Sequence, residues 1–507
     1  MTLSTDESSA QLRWGVYTLL IALAVGNMLG RLMAVNSVNR AELEAHLIKR
    51  ELIPLERELR SQDLAEDELQ NELIEAKQRI AQEVFLQRPF LSANDRSRWL
   101  AVRALVEQGT FAIDGLLDRH VWNTIDMVQH QGPDGELHLY SSKPPLLTTL
   151  LAAEYWVLHK LSGMTLESDP YFLGRLMLVT TNILPMVLMF VIIANLAERW
   201  GTTDWGRTYV VAAATFGTML TTFVVVLNNH LIAAVSAAVA LYAWVRIRCD
   251  GEIRSRYFIL AGLAAAFAAA NELPALVLLV FVGLDLVRSN RKAWLAAFLP
   301  SATVVIVAFF VTNYSAHQSF RPPYMHRSET DPQDNWYAYT YELGGVERES
   351  YWLDRQGIDQ GESSRLTYAW HTLLGHHGIL SLTPLWLLSI AGALMWLKQG
   401  NVRQIELSWA IVLMSAICLA FYLGLRPQVD RNYGGMTSGF RWMFWFAPFW
   451  LVMLVPAGDW TARSVVRKAM AATLLAMSVF SASYPTWNPW THPWIYRWLE
   501  YCGWQGF

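Results

Sequence analysis

Cysteine is scarce in this chain: Cys249, Cys418 and Cys502 are all that occur in 507 residues. Their scatter excludes a disulfide framework and a cysteine metal site. Charge is also sparse, at 16% of residues, where soluble domains carry about 25%. A net charge of −3 gives no basic footprint for nucleic acid. The sequence has no Walker A loop, no dinucleotide-binding glycine pattern, no HExxH and no GxSxG. Gly434-Gly435 is only a dipeptide in a polar loop, and the pair His376-His377 supplies too few ligands for a metal site.

Apolar residues are plentiful, at 53%, with 23 tryptophans and 19 tyrosines. Tryptophan and tyrosine are the residues that decorate membrane interfaces. The apolar residues are clumped into runs near the length of about 20 residues that a helix needs to cross about 30 Å of hydrocarbon. Eleven such runs fall near 14–34, 172–195, 208–227, 231–247, 257–271, 273–287, 294–313, 379–397, 405–425, 440–456 and 468–483. The pattern predicts an all-α polytopic membrane protein. The run from Trp14 to Val35 is long for a signal peptide and reads as a first membrane helix behind a cytoplasmic N-terminus, over 1–35.

Basic residues orient these spans. Arg246, Arg248, Arg254 and Arg256 cluster after one span, Arg288, Arg291 and Lys292 after another. Lys398 with Arg403, and Arg463, Arg467 with Lys468, lie between later spans. Assigning every cluster to the cytoplasm closes the count at eleven crossings, provided that 144–161, with Glu154, His159 and Lys160, is an interfacial helix. If it crosses, the clusters after 247 and 287 fall outside. The favoured arrangement places 36–143, 314–378 and the tryptophan-rich tail from Tyr484 on the outer face. Five regions follow: 1–35; a helical insertion at 36–89; a membrane core over 90–313 that begins with an acidic outer loop; a second large outer loop at 314–378; and C-terminal membrane helices over 379–507.

Within the insertion, Leu69, Leu73, Ala76, Ile80 and Val84 recur at three- and four-residue steps, one face of an amphipathic helix. Residues 39–86 read as a hairpin of coiled-coil kind that offers a surface to a protein partner. Chemistry is expected elsewhere, in polar groups sorted to the outer face. Asp95, Asp114, Asp118 and Asp126 lie in the first outer segment and Lys143 closes it. Asn229 and His230 start a span, Glu272 sits between two apolar runs with almost no loop, and Arg431, Tyr433 and Arg441 lie at the last outer loop. An ionisable group at membrane depth is costly, which marks Glu272. Each has a plainer reading as a capping, solvated or snorkelling residue. Together they suit sugar transfer from a polyprenyl phosphate, a donor that cannot leave the membrane. The reaction needs cations for the phosphate, a carboxylate base for the acceptor hydroxyl and an apolar groove for the tail.

Three runs then stand out: Asn94-Asp95-Arg96-Ser97-Arg98-Trp99, Leu105-Val106-Glu107-Gln108-Gly109-Thr110-Phe111, and Tyr140-Ser141-Ser142-Lys143-Pro144-Pro145-Leu146. With Asn432-Tyr433-Gly434-Gly435 and Gly439-Phe440-Arg441-Trp442, the chain resembles GT-C fold glycosyltransferases, above all the protein O-mannosyltransferase and aminoarabinose transferase group. The resemblance implies a GT-C-like fold, an inverting transferase and a place in the inner membrane of a bacterium. It implies Asp95 as the catalytic base, Lys143 at the donor phosphate with Arg441, and Asp126 as a further carboxylate. Arg98, Asn229, His230, Glu272 and Tyr433 are expected to bind substrate. His230 or Asn229 stands where the group often has a second acidic residue, and a divalent metal ion is left undetermined. The acceptor is an unassigned lipid, glycan or protein. Two other readings stay open, a transporter or flippase of a lipid-linked or small substrate and a non-catalytic membrane scaffold.

Overall fold

The computed structural model describes residues 5–35, 40–62, 65–83, 90–118, 121–328 and 330–504. Helix is present at all eleven predicted spans. Among the described residues, eight helical stretches are long and apolar enough to cross a membrane: Ser8–Ala34, Pro170–Trp200, Asp204–Val225, Asn229–Arg248, Arg291–His317, Val402–Leu425, Arg441–Thr461 and Val465–Ser483. The other three predicted spans form shorter helices, Ser255–Asn271, Leu276–Ser289 and Trp386–Gln399. A 14-residue helix rises about 21 Å, less than the about 30 Å of a hydrocarbon core. The chain is an all-α polytopic membrane protein with two small β-hairpins, Met127–Gln131 with Leu137–Ser141 and Thr340–Leu343 with Val346–Glu349.

Burial differs among the spanning helices. Asn229–Arg248 is buried on nearly every side, from His230 to Ile247, and packs on Ser255–Asn271 and Pro170–Trp200. Its alanines let neighbouring backbones approach closely. By contrast Arg291–His317 and Val465–Ser483 are mostly exposed, with large apolar side chains such as Val304, Val311, Met477 and Phe480 turned outward. Such surfaces suit lipid, not water.

The insertion forms two helices, Arg40–Arg60 and Glu66–Glu83, packed on each other. Of the predicted apolar face, Leu69 and Ala76 are buried and Leu73 and Ile80 half-buried; Val84 lies outside the described residues. Residues 144–161 form the helix Pro145–Ser162, which packs on Ala93–Glu107 and Leu299–His317 and is not among the eight.

The two large loops predicted on the outer face meet where residues 125–129 of the first bond to 336–352 of the second. Trp336 O accepts from Gln129 N at 2.9 Å, Trp352 Nε1 donates to Ile125 O at 2.9 Å, and Tyr339 hydroxyl donates to Met127 O at 3.2 Å. This junction lies over the start of Asn229–Arg248 and the end of Ser255–Asn271. The opposite ends of the same two helices carry Arg246, Arg248, Arg254 and Arg256.

Candidate active site

The segment from Phe90 to Pro144, expected as an acidic loop, brings two distant charges together through a hairpin. Gly132-Pro133-Asp134-Gly135 has turn chemistry: Pro133 fixes its own φ, Asp134 Oδ1 accepts from Glu136 N at 3.1 Å, and Gly135 takes a φ of 84°. The turn sets the register, with Met127 opposite Ser141. One step beyond the ladder, Ser142 N donates to Asp126 O at 3.2 Å. Lys143 follows, and its Nζ reaches Asp126 Oδ1 at 3.0 Å. Ser97 locks the base of the hairpin, donating to Asp126 O at 2.5 Å and sharing a hydrogen bond with Ser141 at 2.7 Å.

Burial alone would push the Asp126 carboxyl up, but Lys143, Arg441 and Arg98 together hold it below its ordinary value. Burial pushes Lys143 down to about 8, with Asp126 opposing and Arg98 adding to the shift. Arg98 is pushed down to about 10, first by burial and then by Arg441.

A second set of polar groups comes from helix ends. Asn228 caps Asn229–Arg248, its side chain accepting from Leu231 N at 2.9 Å. The cap leaves Asn229 and His230 in the first turn. Across from them Ser255–Asn271 stops, Glu272 continues in extended conformation, and Pro274 opens the next turn, as a proline at a helix start does. Asn229 Nδ2 donates to Glu272 Oε1 at 2.7 Å and to Asn271 O at 2.8 Å. Glu272 also pairs with His230 Nδ1. His230 Nε2 faces Arg441 Nη1 at 2.8 Å, and Arg98 Nη2 donates to Asn229 Oδ1 at 2.5 Å.

Arg441 is fixed from the loop side as well. Its Nε donates to Gly434 O at 2.8 Å, and its guanidinium lies 5.0 Å from the centre of the Trp490 ring. Tyr433, Gly434 and Gly435 take successive positive φ values of 57°, 96° and 81°. A Cβ on Gly434 would stand 3.3 Å from Arg441 Cγ and Nε. The glycine pair is therefore the bend that aims Gly434 O at Arg441.

These groups line one cavity of about 700 Å³. Arg98, Asp126, Lys143, Asn229, His230, Glu272 and Arg441 form one wall. A second wall, from the loops, carries Arg327, Tyr337, Trp352, Arg355, Asp359, Arg426 and Asp430. Leu273, Leu276, Val277, Ile417 and Phe421 give the lining an apolar part, and all but Val277 of these are exposed.

Two expected site residues stand elsewhere. Asp95 does not line the cavity: it is 1% exposed, and its Oδ1 accepts from Leu227 N at 2.8 Å and from Trp99 Nε1 at 3.0 Å. Enclosure pushes its carboxyl up to about 7. The expected base is thus enclosed by the scaffold, behind the cavity lining. Tyr433 is also behind the wall, wholly buried against Tyr368 and His377, with its hydroxyl 3.4 Å from Glu362. The other acids of this segment hold local structure: Asp118 accepts from Val121 N and Trp122 N, and Asp114 pairs with His138. The second wall was not anticipated. Arg327, Arg355 and Asp430 sit in loops without periodicity, and no motif in the sequence singles them out.

Among the described residues, no group of three or more His, Cys, Asp or Glu side chains could hold a metal ion. His376 and His377 face each other through their Nδ1 atoms at 2.5 Å.

No family model and no curated protein matches the chain. Among solved structures, it is similar in part to the crystal structure of the Archaeoglobus fulgidus oligosaccharyltransferase in the apo form, at 13% identity and a TM-score of 0.43. The match covers 81% of this chain and 54% of the other, so this chain spans about half the length of that protein. A likeness at that level carries no argument about the reaction.

Proposed function

We propose that the chain is a membrane glycosyltransferase that moves a sugar from a polyprenyl-phosphate donor to a hydroxyl-bearing lipid, glycan or protein. The observation that carries this reading is the composition of the cavity. It joins buried cations to exposed apolar side chains in one lining: Arg98 and Arg441 with Leu273, Leu276, Ile417 and Phe421. A lipid-linked phosphate needs that combination: charge-assisted donors for the headgroup and a greasy path for the tail. The resemblance of 94–146 and 432–442 to GT-C transferases points the same way. Basic residues at the far ends of the cavity helices favour an outer-face site in a bacterial inner membrane.

In this reading Asp126 replaces Asp95 as the base. The acceptor oxygen attacks the anomeric carbon while its proton passes to the Asp126 carboxylate. The bond from the anomeric carbon to the phosphate oxygen breaks, and the polyprenyl phosphate leaves with the electron pair. Arg98, Arg441 and Lys143 stabilise the charge that develops there. A single displacement of this kind inverts the anomeric centre. The ion pair with Lys143 keeps Asp126 ionised and ready to take a proton.

The test uses the full chain in nanodiscs with a panel of polyprenyl-phosphate sugars, and mass spectrometry to detect released polyprenyl phosphate. Release with at least one sugar is expected. No release with any, together with equal binding of polyprenyl phosphate and the uncharged polyprenol, would sink the proposal.

A further inference from the structure

Glu272 and His230 were expected to touch substrate, but their hydrogen bonds point to other side chains. Arginine has donors only, so the 2.8 Å contact between Arg441 Nη1 and His230 Nε2 makes Nε2 the acceptor. His230 therefore carries its proton on Nδ1, the nitrogen that faces Glu272. Glu272 Oε1 also accepts from Asn229 Nδ2, and Asn229 Oδ1 in turn accepts from Arg98 Nη2. The result is a continuous chain, Arg98–Asn229–Glu272–His230–Arg441, with a guanidinium at each end. His230 is 2% and Glu272 6% exposed, so a carboxylate held there is costly unless fully hydrogen-bonded.

We infer that Glu272 and His230 are positioning residues that hold Arg98 and Arg441 as a preorganised two-guanidinium clamp for an anionic headgroup. Two arginines in a shared low-dielectric site repel each other. The anchored carboxylate between them offsets that repulsion and fixes the direction of each fork, leaving the remaining N–H groups for the ligand. His230 transmits the effect in one tautomer only. Ligand-holding side chains depend on such supporting hydrogen bonds for their orientation. The inference rests on the transferase reading, because it takes the headgroup to be the donor phosphate.

The test measures binding of a polyprenyl monophosphate and of the matching polyprenol to the full chain in nanodiscs, with melting temperature as the check on folding. Glu272→Gln and His230→Ala are expected to weaken phosphate binding roughly tenfold, the loss of about one charge-assisted hydrogen bond, and to leave polyprenol binding unchanged. His230→Gln places an amide oxygen near the Nε2 position and is expected to restore most of the lost affinity. Wild-type phosphate affinity in both Glu272→Gln and His230→Ala overturns the inference and leaves the transferase reading in place. Equal losses for phosphate and polyprenol also overturn it, by showing a purely structural role. A wild-type protein that binds the two lipids equally overturns the inference, and the transferase reading falls with it only if no sugar donor gives release.

Discussion

Asp95 and Asp126 belong to the same segment between the first two predicted spans, and both are buried, yet their environments push them in opposite directions. Asp95 sits in the first turn of Ala93–Glu107, sealed by Leu227 N and Trp99 Nε1, and its carboxyl rises to about 7. Asp126 sits at the base of a hairpin, 3.0 Å from Lys143, on the wall of a large cavity, and is held below its ordinary value. The contrast teaches that burial alone does not set the charge of a carboxylate. What separates the two is the partner: backbone and indole donors fasten Asp95 to the scaffold, whereas the Lys143 ammonium keeps Asp126 charged on the cavity lining.

The largest expected effect is on turnover. Asp126→Asn is predicted to lower donor turnover by about a thousandfold, within the usual range for a lost general base. Asp95→Asn is predicted to keep most of it, since an amide oxygen can still accept from Leu227 N and Trp99. Lys143 gives the next effect. Its ammonium is pushed down to about 8, so wild-type turnover should fall as pH rises through that value. Lys143→Arg should lose this alkaline limb, because a guanidinium stays charged; a pH–rate profile of both proteins checks it.

The third effect concerns stability. The Asp95 carboxyl lies at about 7 in the folded chain, against an ordinary 3.8. Between those values the folded state holds a proton that the unfolded state has lost. Asp95 therefore favours folding on the acid side, and that contribution disappears as pH rises through about 7. Melting temperature between about pH 5 and pH 8 should fall more steeply in the wild type than in Asp95→Asn. The smallest effect tests the hairpin. Gly135 has open space around it but a φ of 84°, so Gly135→Val is predicted to cost about 1–3 kcal/mol of stability through backbone strain. Turnover should hold if the Met127–Ser141 register persists, and chemical denaturation reads the cost directly.

The helices were legible because a bilayer imposes a length and a composition that local sequence cannot hide. The amphipathic face of Glu66–Glu83 was legible for a similar reason, a period that repeats. The site was legible only as residue types. Arg98, Lys143, Glu272 and Arg441 could be named as unusual charges at one end of the molecule, but their partners are set by non-local geometry. Asp95 meets Leu227 N across 132 positions, a contact that no local pattern encodes. Asp126 meets Lys143 because of a hairpin whose Pro-Asp-Gly turn is present in the sequence, but the strands that flank it are only five residues each and too short to stand out from a loop. Gly434-Gly435 looked like a bare dipeptide, and its use became visible only with Arg441 folded against it.

The most direct measurement compares Asp126→Asn and Asp95→Asn, both shown to be folded, in the same polyprenyl phosphate release assay with the sugar that the wild type uses. Loss of release in Asp126→Asn with retention in Asp95→Asn is the predicted result. Retention in Asp126→Asn with loss in Asp95→Asn would contradict the account and return the base to the enclosed carboxylate.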